Sequence, residues 1–189
     1  MENEFKYYVL KRKGDQSYPM LRIVNRDYDE DRKCLKVYLE INTPQPKKPV
    51  LADFLYAPET IVSKRIAEVM QSLNMEGVQF IPTQLTLPKG EIIEDYVCVL
   101  VDDNTYTALD KEESDYTEDV WDEEEEPLYE VSKVVLDRKV LSKIPLNKRL
   151  GFQLSENPGD YLFHHSVIEA INALNPTGVF YVDIEEYEF

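Results

Sequence analysis

Alternating apolar and polar positions predict several strands. Residues 35–41 are the clearest case, because every second residue is aliphatic and the residues between are polar or aromatic, which predicts one buried face. The apolar run within residues 94–101 predicts a strand covered on both faces. A strand beginning at Val78 must have Pro82 at an edge or a bulge, because proline donates no hydrogen bond. Further strands are predicted over residues 5–10, 129–136, 150–154 and 179–184.

Two amphipathic helices are predicted between these strands. The first runs from Glu59, since apolar residues recur at helical spacing, and residues 74–77 end it with a glycine suited to a left-handed cap. The second begins near Ser166, where Ser166 and Glu169 have the spacing of a capping box, and residues 175–178 end it. The apolar stripes are Val62, Ile66, Val69, Met70 and Leu73 in the first helix, and Val167, Ile168, Ile171 and Leu174 in the second.

A short pattern occurs twice. Leu73-Asn74-x-x-Gly77-Val78-x-Phe80 recurs 101 residues later as Leu174-Asn175-x-x-Gly178-Val179-x-Tyr181, and each copy is a helix, a glycine turn and a strand. Two interpretations stay open: two common helix-to-strand corners with the same cap chemistry, or an internal duplication. Under either one the predicted fold class is α+β, with mainly antiparallel sheets and two principal helices.

Length and charge restrict the class of partner. The chain has 189 residues, which is enough for one domain with its own core, and its formal charge is −16. An acidic protein repels nucleic-acid backbones and anionic membranes, so the expected partner is a protein with a basic surface, with no nucleic acid and no membrane.

Most of the negative charge is local. Residues 110–130, which we call the acidic segment, contain twelve acids and one base, Lys111, for a net charge of −11. Runs of like charge usually remain solvated, so the segment is expected to be an insertion. The expected organisation is an N-terminal region of strands and a proline-rich connection over residues 1–50, followed by an α+β region over 51–189 that carries the insertion. Both regions are expected to form one compact domain.

Catalytic and cofactor signals are weak. His164 and His165 are the only histidines, and no second ligand stands at metal-binding spacing, so no metal site is predicted. Cys34 and Cys98 are far apart and Cys98 lies in an apolar strand, which is typical of inert packing rather than a catalytic dyad. There is no glycine-rich phosphate loop, and no cofactor is expected. The acidic N-terminus and the reduced cysteines indicate a cytoplasmic protein.

The acidic segment is the candidate partner-binding site. It contains the chain's only tryptophan, and aromatic anchors ringed by charge provide both contact area and fast attraction to a basic partner. The alternative is a solvated insertion without a partner. The candidate residues are Tyr116, Asp119, Trp121, Asp122, Glu123, Glu124, Glu125, Glu126 and Tyr129.

Seven short segments follow one another in a distinctive order within residues 51–184: GVQFIP at 77–82, YVCVL at 96–100, ALD at 108–110, VVLD at 134–137, GFQL at 151–154, DYLF at 160–163 and TGVxY at 177–181. This ordered set resembles a family of immunity proteins from bacterial polymorphic toxin systems. The resemblance implies a small intracellular α+β protein that binds a toxin domain and blocks it without catalysis. Toxins associated with the family include HNH-type nucleases, whose basic substrate channels would suit an acidic inhibitor.

The leading hypothesis is therefore a stoichiometric inhibitor of a secreted antibacterial toxin. A second hypothesis is an acidic adaptor or chaperone that loads a basic effector onto secretion machinery. A third is an enzyme that reverses a toxin's modification, for which a pocket around His164 would be required.

Overall fold

The computed structural model describes residues 3–14, 18, 21–41, 50–56, 60–102, 104–119 and 128–187. Its helices are α1 (Lys64–Ser72), α2 (Arg138–Leu141) and α3 (His165–Asn172). Its strands are β1 (Tyr7–Arg12), β2 (Leu21–Asp29), β3 (Cys34–Ile41), β4 (Phe54–Tyr56), β5 (Thr60–Ser63), β6 (Val78–Thr86), β7 (Ile92–Val101), β8 (Thr105–Tyr106), β9 (Asp115–Asp119), β10 (Leu128–Lys133), β11 (Gly151–Leu154), β12 (Leu162–His164) and β13 (Val179–Asp183). The predicted α+β class with two principal helices is confirmed.

Two large sheets contain most of the strands. The six-stranded sheet has the order β2-β3-β6-β7-β5-β4, and only β3 and β6 in it are parallel. The five-stranded sheet has the order β13-β1-β12-β11-β8, and only β11 and β8 in it are parallel. Strands β1, β2 and β3, all from the first fifty residues, are hydrogen-bonded into these two sheets. Strands β9 and β10 form a separate two-stranded sheet.

Both long helices share one hydrophobic core with one face of each large sheet. That core contains the buried stripes Ile66, Ala67 and Met70 of α1 and Val167, Ile168 and Ile171 of α3. The opposite face of the five-stranded sheet packs on a second core, built around Tyr7, Phe152 and Leu162. A third core covers the other face of the six-stranded sheet, around Val37, Leu85 and Cys98.

The prediction for β7 is confirmed in detail. Tyr96, Val97, Cys98 and Val99 are all buried, because one face of the strand meets the helix core and the other meets the third core. Pro82 lies just before the part of β6 that pairs with β3, and a register shift follows between Thr83 and Leu85. A missing donor is tolerated next to such an irregularity.

Three local predictions were wrong. Residues 60–63 are strand β5, so Val62 belongs to a strand and α1 begins only at Lys64. The helix α3 is capped by the side chain of His164 rather than by Ser166, so the capping box is not formed. The acidic segment is not a solvated loop throughout, because Asp115–Asp119 pairs with Leu128–Lys133 as a hairpin.

Candidate partner-binding arm

The folded part of the acidic segment is a β-hairpin, β9–β10, which we call the arm. Tyr116 lies opposite Val131, Thr117 opposite Glu130, and Glu118 opposite Tyr129. Since successive side chains of a strand point to opposite faces, Tyr116, Tyr129 and Val131 share one face, while Asp115, Thr117 and Glu130 share the other. The arm therefore has an aromatic face and an acidic face.

The aromatic face is directed at the body of the protein. Val131 is buried in the second core, and Tyr116 and Tyr129 are half-buried against it. The two rings lie 5.8 Å apart, and Lys111 Nζ lies 4.5 Å from the Tyr129 ring centre and donates a hydrogen bond of 2.7 Å to its hydroxyl oxygen. The single base of the acidic segment is thus held over two aromatic rings, an arrangement that fixes the arm by packing and cation–π attraction.

The acidic face is exposed to solvent. Asp115, Thr117, Glu130 and Ser132 are all exposed, and the Ser132 hydroxyl donates to the backbone oxygen of Asp115. Asp115 and Glu130 give this face its negative charge, and Lys133 lies opposite Asp115 at the root of the arm, where the strand register shifts. A basic protein surface is the chemical class of partner that such a face attracts.

The base of the arm is tied to the second core. The Ser114 hydroxyl donates to Val135 O at 3.1 Å and accepts the Val135 N–H at 2.9 Å, which closes the two strands at their root. Asp110 accepts the backbone N–H groups of Glu112 and Glu113 and so shapes the turn that leads into β9. Its carboxylate is therefore used within the fold, unlike those of Asp115 and Glu130.

The predicted site residues fall into two groups. Tyr116 and Tyr129 lie together on the aromatic face, and Asp119 ends β9 opposite Leu128. The remaining candidates lie outside the described residues: Trp121, Asp122, Glu123, Glu124, Glu125 and Glu126. Sequence reasoning missed the role of Lys111, for which the signal was a lone base inside an acidic run.

His164 has a structural position. Its Nδ1 accepts the backbone N–H of Ser166 and its Nε2 lies 3.2 Å from Glu4 O, which it can reach as a donor in the neutral ring. Burial lowers its pKa, so the neutral form is favoured near pH 7. Both ring nitrogens are engaged in holding the start of α3 against the N-terminal segment.

The two cysteines and the possible metal ligands were the other candidates for site chemistry. Cys34 and Cys98 are buried free thiols, and burial raises the pKa of Cys98 to about 11, so its reactive thiolate form is disfavoured. No group of three or more histidine, cysteine and acidic side chains is arranged for a metal within the part of the chain that the structure describes. Among the same residues, no helix is long and apolar enough to cross a membrane.

The described residues form an α+β fold of two large sheets and two principal helices, with the arm as a separate two-stranded sheet. The chain matches the immunity protein family Imm11 over residues 8–186, almost its whole length, and it belongs to that family. Membership supports a toxin-neutralising immunity role. The match also includes strands β1 to β3, beyond the stretch in which the sequence pattern showed the resemblance. No curated protein is significantly similar to the chain.

Proposed function

We propose that this protein neutralises a cognate secreted antibacterial toxin by binding it stoichiometrically and covering its active surface. The family membership supports the class of function. The acidic face of the arm supports the mode of binding, since it is exposed, bears the carboxylates of Asp115 and Glu130, and is held in place by a packed opposite face. The proposal includes a toxin with a basic surface, for which a nuclease is a suitable class, and a cytoplasmic site of action without catalysis.

The arm would act as an electrostatic docking element. Opposite charges speed diffusional encounter and make association depend on salt concentration. We include Trp121 and the acids at 122–126 in this proposal on the strength of their charge and aromatic character in the sequence. Tyr116 and Tyr129, by contrast, contact Lys111 and the second core, so we assign them to supporting the arm and not to direct contact with the toxin.

Charge reversal on the acidic face is the direct test of the binding mode. The double variant Asp115→Lys with Glu130→Lys should weaken binding to the toxin by about tenfold or more at low salt and flatten the salt dependence of the affinity. The matched control, Glu30→Lys with Asp31→Lys, changes the net charge equally at exposed positions in the turn between β2 and β3. Equal losses in both variants would show that only net charge matters and would refute the arm as the docking element.

A second experiment tests the residues beyond the described part of the arm. Reversing the charge of the four glutamates from Glu123 to Glu126 should lower the affinity for the toxin and the salt dependence of that affinity. An unchanged affinity would refute their role. The function itself is tested separately, by co-producing the cognate toxin with this protein in cells. Survival supports neutralisation, and death of cells that contain a folded, toxin-bound protein refutes it.

The adaptor hypothesis makes a different prediction from the same arm. An adaptor binds its effector and leaves the effector's activity intact, so an activity assay on the purified complex separates the two functions. The enzyme hypothesis requires His164 to act on a substrate, although both of its ring nitrogens are already engaged. A variant such as His164→Gln that stays folded and still protects cells would remove that hypothesis.

A further inference from the structure

The two helix–turn–strand segments have the same backbone geometry. The residues before the helices, Ser63 and His164, have φ and ψ of −62° and 152°, and −61° and 150°. In the following turns, Asn74 and Asn175 have φ of 52° and 49°, and Gly77 and Gly178 have φ of 78° and 75°. The buried helix positions also correspond at the same spacing of 101 residues: Ile66 with Val167, Ala67 with Ile168, and Met70 with Ile171.

The strands around each segment correspond as well. The order β6-β7-β5-β4 in one sheet matches the order β13-β1-β12-β11 in the other. In the first, Ser63 lies opposite Tyr96 and Val78 lies opposite Val101. In the second, His164 lies opposite Tyr7 and Val179 lies opposite Arg12. The N-terminal strand β1 therefore takes the place of β7 in the same register, although it comes from the other end of the chain.

Main-chain hydrogen bonds outside the sheets repeat in the same way. The N–H of Ser63 donates to Asp53 O at 2.7 Å, and the N–H of His164 donates to Leu150 O at 3.0 Å. After the central strands, the N–H of Asp102 donates to Gly77 O and the N–H of Lys13 donates to Gly178 O, at 3.2 and 2.9 Å. Shared cap chemistry explains two similar turns, but it does not require two whole sheets to agree in strand order, register and these outer bonds.

We infer that the core of this protein is an internal duplication in which the last strand of the second copy has moved to the N-terminus. The first copy is β4-β5-α1-β6-β7, and the second is β11-β12-α3-β13 completed by β1. In the first copy a turn at residues 87–91 joins β6 to β7. In the second copy no such turn joins the corresponding strands among the described residues, since β13 is the last strand in the described chain and β1 is the first.

The duplication also separates the repeated core from its insertions. An insertion follows the last strand of each copy: β2 and β3 follow β1, and β8 to β10 with α2 follow β7. The two insertions differ, because the hairpin β2–β3 joins the six-stranded sheet whereas the hairpin β9–β10 forms a sheet of its own. If the proposed function holds, the toxin-binding surface lies in an insertion and can change without altering the repeated core.

Exchanging the buried stripes of the two helices tests the equivalence. The exchange variant carries Ile66→Val, Ala67→Ile and Met70→Ile in α1, with Val167→Ile, Ile168→Ala and Ile171→Met in α3. Composition and total core volume are unchanged, and equivalent sites receive each other's side chains, so we expect cooperative unfolding with a midpoint within about 10 °C of the parent.

A control with the same six side chains in the wrong order makes the result specific. It carries Ala67→Ile, Met70→Val, Val167→Met and Ile168→Ala, which reverses each transferred set along its new helix. We expect this control to have a clearly lower thermal unfolding midpoint than the exchange variant. Urea titration at 10 °C ranks the unfolding free energies of the two variants even if both are less stable than the parent. An exchange variant no more stable than this control would overturn the equivalence of the two copies.

A circular permutant tests the position of β1. Joining residue 189 to residue 1 by a short Gly-Ser linker and opening the chain between Gly14 and Asp15 makes the second copy continuous. We expect it to fold with a melting temperature close to that of the parent, whereas opening the chain at the exposed Gly159, between β11 and β12, should cost more. A permutant at 14/15 that fails to fold, or that is no more stable than the one at 159, would overturn the assignment of β1. Neither assay uses the toxin, so these results are independent of the proposed function.

Discussion

Asp53 is a residue at which we expect one small change to have a large effect on folding. It precedes β4, and its carboxylate accepts hydrogen bonds from Ser63 Oγ at 2.7 Å, Arg65 Nε at 2.7 Å and Thr177 Oγ1 at 2.7 Å. It also accepts a second bond from Arg65 and the Thr177 N–H. One side chain thus joins the start of α1 to the glycine turn after α3.

The substitution Asp53→Asn keeps the shape but removes the charge and turns one acceptor into a donor. Charge-assisted hydrogen bonds contribute roughly 1.5–3 kcal/mol each. The Asp53 side chain is 11% exposed and that of Arg65 is 46% exposed, so the contribution of this ion pair to stability lies at the low end of that range. The amide oxygen of the asparagine retains part of these hydrogen bonds. We therefore expect the free energy of unfolding to fall by about 3 kcal/mol, which corresponds to about 6–12 °C in melting temperature for a chain of this size.

Urea titrations across pH provide the assay. Hydrogen bonds from Arg65, Thr177 and Ser63 hold the pKa of Asp53 well below its usual range against the opposing effect of burial. Since the folded pKa is lowered, the stabilisation is complete above the unfolded pKa of about 3.9 and is lost as the pH falls below it toward the folded pKa. The difference in unfolding free energy between the parent and Asp53→Asn should therefore be large at pH 7 and become smaller in acid.

The matched control is Glu30→Gln, which removes one exposed carboxylate from the turn between β2 and β3 and should change stability by less than about 0.5 kcal/mol. Two results would refute the reasoning. One is a loss of unfolding free energy below about 1 kcal/mol for Asp53→Asn at pH 7, which would mean that the hydrogen bonds of Asp53 contribute little to stability. The other is a difference that stays constant down to pH 2.5, which would mean that the charge of Asp53 is not its cause.

Three further outcomes follow from local geometry. Gly178→Ala should destabilise the fold by more than about 2 kcal/mol, because its φ is 75° and an added Cβ would meet Ala52. Gly90→Ala, where φ is 83° and the space is open, should cost only about 1 kcal/mol. Equal losses of unfolding free energy in urea titration would argue against the contact with Ala52. His164→Ala should cost about 1–2 kcal/mol through the lost helix cap. Since burial lowers the pKa of His164, the parent should also lose stability as the pH falls below about 6.5, and a variant with the same pH profile would contradict this assignment. Native Cys98 should react with a thiol reagent only at the rate of unfolding, since it is fully buried with a pKa of about 11, and fast modification at pH 8 would show access.

Periodicity predicted the elements whose environment is simple. Residues 35–41 alternate because one face of β3 is buried, and residues 94–101 are apolar throughout because β7 is buried on both faces. The start of α1 was misplaced because residues 60–63 continue an apolar pattern that suits either a helix or a strand. Pairing of β5 with β7 decides between them, and such pairing joins residues more than thirty positions apart.

The candidate site was predicted in composition but not in shape. Its charge and its aromatic residues can be counted along the chain, and they indicate an interaction segment. The two faces of the arm depend on the contacts of Val131 with the second core and of Lys111 with two tyrosine rings. These contacts also explain how a segment of like charge forms a hairpin, since apolar burial and one cation oppose the repulsion between its strands.

The sequence by itself determined the fold class, the two helices with their glycine turns, the local concentration of charge and the family resemblance. Each of these is carried by residues close together in the chain, where spacing and side-chain type are sufficient. Only the tertiary structure decided the strand order, the position of β1 between β12 and β13, and the face of the arm that meets solvent. Those features depend on contacts between residues distant in sequence, in which packing and register select one arrangement among several that the local pattern allows.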